Sequence, residues 1–286
     1  MINQLPQNIL IEIFSHLDAN FLGLACQVCR LWSYVIRTTP KIMKRAKVKI
    51  TSDRTEDDIT IFDQVPFGLH QNIEVVDYCG DFVILQQILT MHRNYIEYVK
   101  IVRPDVWCAK MFTETFSSLK NLSRLILDNC QLRDMKEIKE SGENFVNLRH
   151  LTVVDCCCEI FDIFRDCNLA SLTVEYSPNF IPAEQFSMKS LTNLLKNSST
   201  ITNLTVVGVT KFPDNFLSAK STYKFHLQQL TMDDIEGLED SYPAQFLESQ
   251  RGTLKKLTIL KPPESEKLQN LINEIRCSID CDKALC

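Results

Sequence analysis

The sequence predicts an α/β fold in which a short all-helical segment is followed by strand–helix repeats that form a curved parallel sheet. Two observations predict this class: an apolar spacing recurs seven times between residues 96 and 259, and residues 5–17 are apolar on more than one side of a helix. Apolar residues make up 45% of the chain and charged residues 23%, which is ordinary for a folded protein. A chain of 286 residues has room for one extended domain or two compact ones.

The first element is a helix that Pro6 begins and that carries apolar residues on more than one stripe. A module of about forty residues buries too little surface to be secure alone, so this helix needs cover from outside the module. Its anchors read Leu5-Pro6-x-x-Ile9-Leu10-x-x-Ile13-Phe14-Ser15-His16-Leu17-Asp18, then Leu22, then Val28-Cys29-Arg30-x-Trp32. This pattern resembles the F-box family in residue identity and in spacing, with departures at Asn8 and Phe21.

The resemblance implies that residues 1–46 form a helical F-box that binds a Skp-type adaptor, which in turn joins a cullin–RING ubiquitin ligase. The adaptor-binding residues that it implies are the apolar anchors of the motif: Leu5, Pro6, Ile9, Leu10, Ile13, Phe14, Leu17, Leu22, Val28, Cys29 and Trp32. Without the resemblance, the same residues could instead cap the open end of the repeats.

From residue 96 onwards, seven segments share one apolar skeleton. Each has a leucine or isoleucine followed by two apolar residues at alternate positions, which is the pattern of a short strand with one buried face. The segments are Ile96–Ile101, Leu122–Leu127, Leu148–Val153, Leu169–Val174, Ile201–Val206, Leu227–Met232 and Leu254–Ile259. Their central positions recur with a mean step of about 26 residues, inside the roughly 20–29 residue period of leucine-rich repeats.

Helical patterning lies between the strands. Pro182 begins one predicted helix, whose inner face carries Phe186, Leu191, Leu194 and Leu195. A second predicted helix runs from residue 265 to residue 275. One strand and one helix cannot bury their apolar sides alone, so the units are expected to stack into a solenoid.

The spacing resembles cysteine-type leucine-rich repeats, which place Asn or Cys three residues after the second strand leucine. Cys130 and Cys156 stand at that position. The later repeats depart from the pattern there: Ser177, Val209, Ile235 and Pro262. Val48-x-Ile50 and Ile73-x-x-Val76 are interpreted as two earlier, less regular repeats. The resemblance therefore implies a leucine-rich-repeat solenoid over residues 47–286.

Residues that alternate with the buried strand positions face outward and are the predicted substrate-binding surface. They are Arg124, Ile126, Asp128, His150, Thr152, Val154, Thr173, Glu175, Thr205, Val207, Thr231 and Asp233. The threonines also have a structural explanation, because threonine favours strands and pairs well across them. Phosphorylated ligands are usually held by arginine clusters, and this surface has few arginines but three acids. It predicts a partner with an apolar and basic or neutral surface.

The sequence disfavours several classes of function. The net charge of −5 argues against a whole-chain nucleic-acid binder, and a run of about 20 apolar residues that would predict a membrane span is absent. Phosphate loops, nucleophile elbows and zinc-protease motifs are also absent, so we expect a non-catalytic protein without a cofactor. Cys26-x-x-Cys29 has the spacing of half a zinc site but lacks a second pair. Both cysteines are expected to lie buried on one helix, with no metal bound.

The twelve cysteines are expected to be reduced and mostly buried, because the first residues do not resemble a secretion signal. This predicts a cytoplasmic or nuclear protein, or both. The two resemblances imply the substrate-recognition subunit of an SCF (Skp–cullin–F-box) ubiquitin ligase, whose repeats bind a protein target for ubiquitination and proteasomal degradation. The alternative is an adaptor-bound scaffold without ligase duty, since both functions need the same F-box.

Overall fold

The computed structural model of the chain describes residues 5–17, 19–45, 47–51, 71–135, 145–177, 189–208, 223–232, 241–261 and 266–284. It divides into two compact units, Met1–Arg133 and Asp134–Cys286. Both units combine helices with parallel strands, so the predicted α/β class is confirmed, while the predicted domain boundary after residue 46 stays a prediction. None of the described helices has both the length and the apolar character that crossing a membrane requires.

Four helices begin the first unit: α1 (Gln7–Phe14), α2 (Ala19–Val28), α3 (Arg30–Thr38) and α4 (Pro40–Arg45). Prolines set two of their boundaries. Pro6 lies directly before α1 with φ −55° and ψ 146°, which confirms that this residue begins a helix. Pro40 occupies the first position of α4, where its missing N–H costs no intrahelical hydrogen bond.

The strands of the first unit are short. They are β1 (Lys47–Ile50), β2 (Asn72–Val76), β3 (Tyr98–Val102), β4 (Trp107–Cys108), β5 (Arg124–Asp128) and β6 (Leu132–Arg133). β1, β2, β3 and β5 pair in parallel in this order, and β4 pairs in parallel with β6. The pairing brings Val48, Ile73, Val99 and Leu125 into one buried row.

The two early segments are strands, but the predicted register of one is wrong. The pattern Ile73-x-x-Val76 equates Val76 with Val99, whereas the structure pairs Ile73 with Val99. Ile73 and Val75 are fully buried and Val76 is half-buried. Because Val75 and Val76 are both apolar, the sequence permits either phase, and packing beside β3 selects the phase that buries Ile73.

Two described helices lie between the strands of the first unit, α5 (Phe82–Met91) and α6 (Ala109–Ser117). Asp81 caps α5, because its carboxylate accepts a hydrogen bond of 2.9 Å from the backbone N–H of Val83. The inner faces of the two helices are buried and include Leu85 and Phe112.

The second unit has five described strands, which pair in parallel in chain order. They are β7 (His150–Val154), β8 (Ser171–Glu175), β9 (Asn203–Val207), β10 (Gln229–Met232) and β11 (Lys256–Ile259). With β3 and β5 of the first unit, they confirm a strand at each of the seven predicted segments. The helical segments are a 3-10 helix (Cys158–Phe164), α7 (Lys189–Asn197), α8 (Ser241–Gln250) and α9 (Glu266–Ala284).

The shortest repeat contains the 3-10 helix. Leu151 of β7 pairs with Leu172 of β8, only 21 residues further along the chain. A 3-10 helix rises about 2.0 Å per residue against about 1.5 Å for an α-helix, so it crosses the same distance with fewer residues. It still buries apolar side chains, including Phe161 and Phe164.

The two predicted helices are confirmed where the structure describes them. α7 buries Leu191, Leu194 and Leu195, as the periodicity predicts. Pro182 and Phe186 lie outside the described residues. α9 begins at Glu266 and buries residues at helical spacing: Leu268, Ile272, Ile275 and Ile279.

Six residues directly after strands have a positive φ: Asp77 (50°), Arg103 (44°), Asn129 (53°), Asp134 (61°), Asp155 (48°) and Gly208 (71°). Three of them, Asp77, Arg103 and Asp155, extend the strand pairing by one residue. For example, the N–H groups of Asp77 and Arg103 each donate a 2.9 Å hydrogen bond to the last carbonyl of the neighbouring strand. At Gly208 only glycine fits, because a Cβ would lie 1.8 Å from the carbonyl oxygen of Tyr176.

The cysteines are less buried than the sequence predicts. The ten whose side chains the structure describes are free thiols, of which four are buried, four half-buried and two exposed. The two at the repeat position are buried: Cys130 donates from Sγ to the carbonyl of Ile101 (3.7 Å), and Cys156 to that of Val154 (3.2 Å). These weak hydrogen bonds occupy carbonyls at strand ends, which explains cysteine at this position.

Candidate functional site

The N-terminal helical module, residues 5–45, is organised around α3, which contacts α1, α2 and α4. Its interior is formed by Leu10, Phe14, Leu22, Val35 and Ile36, each 1% exposed or less. The ring of Phe14 meets the ring of Trp32 edge-on at a centroid distance of 5.1 Å. The four helices are therefore held by a small apolar core.

The same helices expose large apolar side chains on their outer sides. We call these the exposed apolar rows: Ile9 and Ile13 on α1, Phe21, Leu24 and Val28 on α2, and Leu31 and Tyr34 on α3. Their exposures range from 41% to 61%. Within each helix the spacing is three or four residues, so the members of a row lie on one face. Exposed apolar surface of this density is typical of a protein interaction site.

The predicted adaptor-binding residues fall into three groups. Ile9, Ile13 and Val28, together with Pro6, are exposed. The half-buried ones are Leu5, Leu17, Cys29 and Trp32. The buried ones are Leu10, Phe14 and Leu22, which support a partner surface from beneath instead of forming it. The role of the whole set in binding stays a prediction.

Sequence reasoning missed four members of the exposed apolar rows: Phe21, Leu24, Leu31 and Tyr34. The F-box motif does not mark these positions as anchors. A signal was nevertheless present, because Phe21, Leu24 and Val28 have the spacing of one helix face.

The expectation for Cys26 and Cys29 is wrong in two respects. Cys29 lies between α2 and α3 with an extended backbone (φ −160°, ψ 165°), so the two cysteines do not share a helix. Both side chains are half-buried instead of buried. Burial raises the pKa of the Cys26 thiol, although Arg37 and Ser33 oppose the shift. In the described part of the chain, His, Cys, Asp and Glu side chains nowhere gather in threes as a metal site requires.

An exposed ion pair links α1 to α4. The Nζ atom of Lys41 lies 3.1 Å from Oε2 of Glu12, and Nε2 of His16 lies 3.4 Å from Oε1 of the same carboxylate. Lys41, and secondarily His16, lower the pKa of Glu12. The pair is charged at neutral pH and its contribution is lost as the pH falls through the lowered pKa of Glu12.

The predicted substrate-binding surface is accessible wherever it is described. In the first unit Arg124 is exposed, and Ile126 and Asp128 are half-buried. In the second unit Glu175 is exposed, and the remaining members are half-buried: His150, Thr152, Val154, Thr173, Thr205, Val207 and Thr231. Asp233 lies outside the described residues. That these residues bind a substrate stays a prediction.

Two groups of side chains on or beside this surface have a regular arrangement. In the second unit, Thr152, Thr173, Thr205, Thr231 and Thr258 are paired in register on neighbouring strands, so they form one row. In the first unit, the guanidinium of Arg103 donates to both carboxylate oxygens of Asp77, at 2.8 and 3.1 Å. This bidentate pair raises the pKa of Arg103 and lowers that of Asp77, so both stay charged over a wide pH range.

Comparison with known proteins bears on the helical module alone. A search of curated proteins finds none that matches the chain. A family model described as F-box-like matches residues 2–47, which include all four helices and every exposed apolar row. F-box domains in general bind Skp-type adaptors. The chain therefore carries an F-box-like domain at residues 2–47.

Proposed function

We propose that this chain is the substrate-recognition subunit of an SCF-type ubiquitin ligase. In this proposal the F-box-like domain binds a Skp-type adaptor, and through it a cullin–RING ligase, while the outward residues of the strands bind a protein target. We take the strand–helix units to be leucine-rich repeats. The chain itself has no catalytic role, because other subunits transfer ubiquitin. It acts in the cytoplasm or the nucleus, and its target is degraded by the proteasome.

One observation carries the adaptor half of the proposal: the exposed apolar rows lie on the segment that matches the F-box-like family. Burying a large apolar side chain fully contributes roughly 1.5–3 kcal/mol. Side chains that are about half exposed in the free chain can therefore contribute a large part of this free energy when a partner buries them. Aromatic residues such as Phe21 and Tyr34 are the types that contribute most to protein interfaces.

Co-expression with a Skp-type adaptor tests this half. The wild-type chain should co-purify with the adaptor in stoichiometric amounts. Ile13→Asp should abolish co-purification, because Ile13 is 45% exposed on α1 and an aspartate there would be desolvated by the partner. Asn8→Asp is the matched control, since it adds the same charge at an exposed position of the same helix.

The outcome is informative only if the variants fold, so circular dichroism and thermal unfolding accompany the assay. If the folded wild-type chain does not bind the adaptor, the adaptor half fails. If both aspartate variants bind equally well, the exposed apolar row of α1 is not the contact.

Recruitment of cullin separates the two forms of the function. A ternary complex of chain, adaptor and cullin supports a substrate receptor, whereas an adaptor complex that excludes cullin supports a scaffold without ligase duty. The target-binding half rests on the accessible outward strand residues. Once a target is found, Glu175→Arg should weaken its capture and leave adaptor binding intact. Unchanged capture would contradict the proposed surface.

A further inference from the structure

A groove of about 560 Å³ lies between the end of α2 and one face of α3. Its walls include Cys26 and Cys29 on one side and four residues of α3 on the other: Arg30, Ser33, Tyr34 and Arg37. These four recur every three or four residues, so they share one helix face, while Val35 and Ile36 on the opposite side are buried. The groove is thus an open surface on a helix that the domain's core holds in place.

The lining of the groove is cationic. Arg30 and Arg37 are both exposed, and none of the described residues that line the groove is acidic. The thiol of Cys26 does not offset Arg37, because burial raises its pKa and keeps it neutral at physiological pH. The carboxylate of Glu12 is already engaged by Lys41 and His16.

The charge of the surrounding segment reinforces this character. Residues 1–51 contain seven lysines and arginines and two acids, a net charge of +5, although the whole chain has a net charge of −5. All other residues together therefore carry −10. A positive segment in an acidic protein attracts and orients a negatively charged partner.

Between the two arginines the groove presents an aromatic surface. Tyr34 is 61% exposed, and Leu31 beside it is 41% exposed. Arginine binds carboxylates through two parallel hydrogen bonds, and tyrosine contributes apolar contact with a hydroxyl at its end. Two cations separated by an aromatic ring suit a ligand that alternates carboxylates with an apolar group.

We propose that this groove binds an acidic peptide segment of a partner protein, with carboxylates on Arg30 and Arg37 and an apolar side chain against Tyr34. A single-stranded nucleic acid is a poorer fit, because such binding relies on several stacking aromatics along a long basic track. Tyr34 is the one aromatic residue among the described residues that line the groove. The groove shares Tyr34 with the exposed apolar rows, but Arg30 and Arg37 lie outside those rows. The proposal goes beyond apolar contact with the adaptor because it rests on these two arginines.

The test uses the full chain and a short fluorescein-labelled peptide of glutamates around one leucine, followed by fluorescence anisotropy. Saturable binding at low salt that weakens as salt is added is expected, because exposed charges are screened. Arg30→Ala with Arg37→Ala should weaken binding about 10-fold, and Arg30→Glu with Arg37→Glu should abolish it. The control is Lys255→Glu with Lys256→Glu, which makes the same change of charge at two exposed residues and should leave binding unchanged.

Three results would overturn the proposal: no saturable binding by the folded wild-type chain, equal loss in the Lys255 and Lys256 control, or tighter binding of a single-stranded oligonucleotide that displaces the peptide. The assay contains no adaptor. A chain that binds the adaptor but not the peptide refutes the groove alone, and the reverse result refutes the proposed function alone.

Discussion

The F-box-like domain and the strand-bearing part of the second unit use apolar side chains in opposite ways. In the domain, Ile9, Phe21 and Val28 are 43%, 58% and 61% exposed. On the strands of the second unit, Leu151 and Leu172 are 1% and 0% exposed. Strands that alternate apolar and outward residues, and that pair in register, bury their apolar face within the stack of strands and helices. Short helices around a small core leave a second apolar face exposed. The difference is consistent with the proposal that another protein covers the domain, whereas the strands cover each other.

The largest expected effect comes from exchanging two phenylalanines of the domain for alanine. Phe14 is 1% exposed and packs on Trp32, so Phe14→Ala should lower the free energy of unfolding by about 3–5 kcal/mol. Phe21→Ala removes the same atoms from a side chain that is 58% exposed, and should cost about 1 kcal/mol or less. Urea unfolding measures both. Phe21→Ala should also weaken adaptor binding. If the two variants lose the same stability, the distinction between the apolar core and the exposed apolar rows is wrong.

Two glycines of the second unit provide the next test. Gly208→Ala should destabilise by about 3 kcal/mol or more, because its φ is +71° and a Cβ would overlap the carbonyl of Tyr176. Gly252→Ala is the control, since a Cβ there meets no atom within 4 Å and the change should stay within about 0.5 kcal/mol. Thermal unfolding compares them. A tolerated alanine at position 208 would mean that the strand end can relax.

A smaller effect is expected from two buried threonines of α6. The hydroxyl of Thr113 donates to the carbonyl of Ala109 at 2.8 Å, whereas that of Thr115 has no hydrogen-bond partner in the described residues. Thr115→Val should therefore raise the free energy of unfolding by about 1 kcal/mol, and Thr113→Val should lower it by about 1 kcal/mol. Opposite shifts in the unfolding midpoint confirm the pair of assignments. Equal shifts would contradict them.

The smallest effect at neutral pH concerns the buried thiols of the second unit. Burial raises the pKa of both Cys158 and Cys167 to about 12, above the ordinary value of 9.0. Their stabilising effect is complete below pH 9 and is lost as the pH rises towards 12. A thiol-specific reagent at pH 8 should label Cys79 and Cys277, which are exposed, well before Cys158 or Cys167. Rapid labelling of Cys158 in the folded chain would show that the interior opens.

Much of the fold is readable from the sequence because strands have a strict two-residue period. Leu172 and Val174 flank the polar Thr173, so they leave one phase open, and this strand occurs as predicted. In β2 the adjacent apolar residues Val75 and Val76 allow two phases of burial. The pairing with β3 selects the phase that buries Val75. The positive φ at Asp77, Asn129 and Asp155 was also signalled, since aspartate and asparagine tolerate this region, but Arg103 carries no such mark.

The candidate site was less predictable than the fold. The F-box motif specifies the type and the spacing of its apolar anchors. Type and spacing do not determine which of two adjacent apolar residues faces the core. Ile9 and Leu10 are neighbours of similar hydrophobicity, yet one is 43% exposed and the other 1%. The packing of α3 against α1 makes that choice, and it involves residues distant in the sequence. The cationic groove depends in the same way on the packing of α2 against α3, because only that packing brings Cys26 and Arg37 to one groove.

On α1 the exposed Ile9 and Ile13 lie next to the buried Leu10 and Phe14. This arrangement affects how long the protein would persist in a cell. A partner that covers the outer residues also immobilises the helix that supplies the inner ones. Binding to the folded state at a free concentration of 100 times Kd would add about 2.7 kcal/mol to its stability. The concentration of the partner would then determine how much of this chain escapes degradation as an unfolded protein. The abundance of the chain would therefore follow the abundance of its partner.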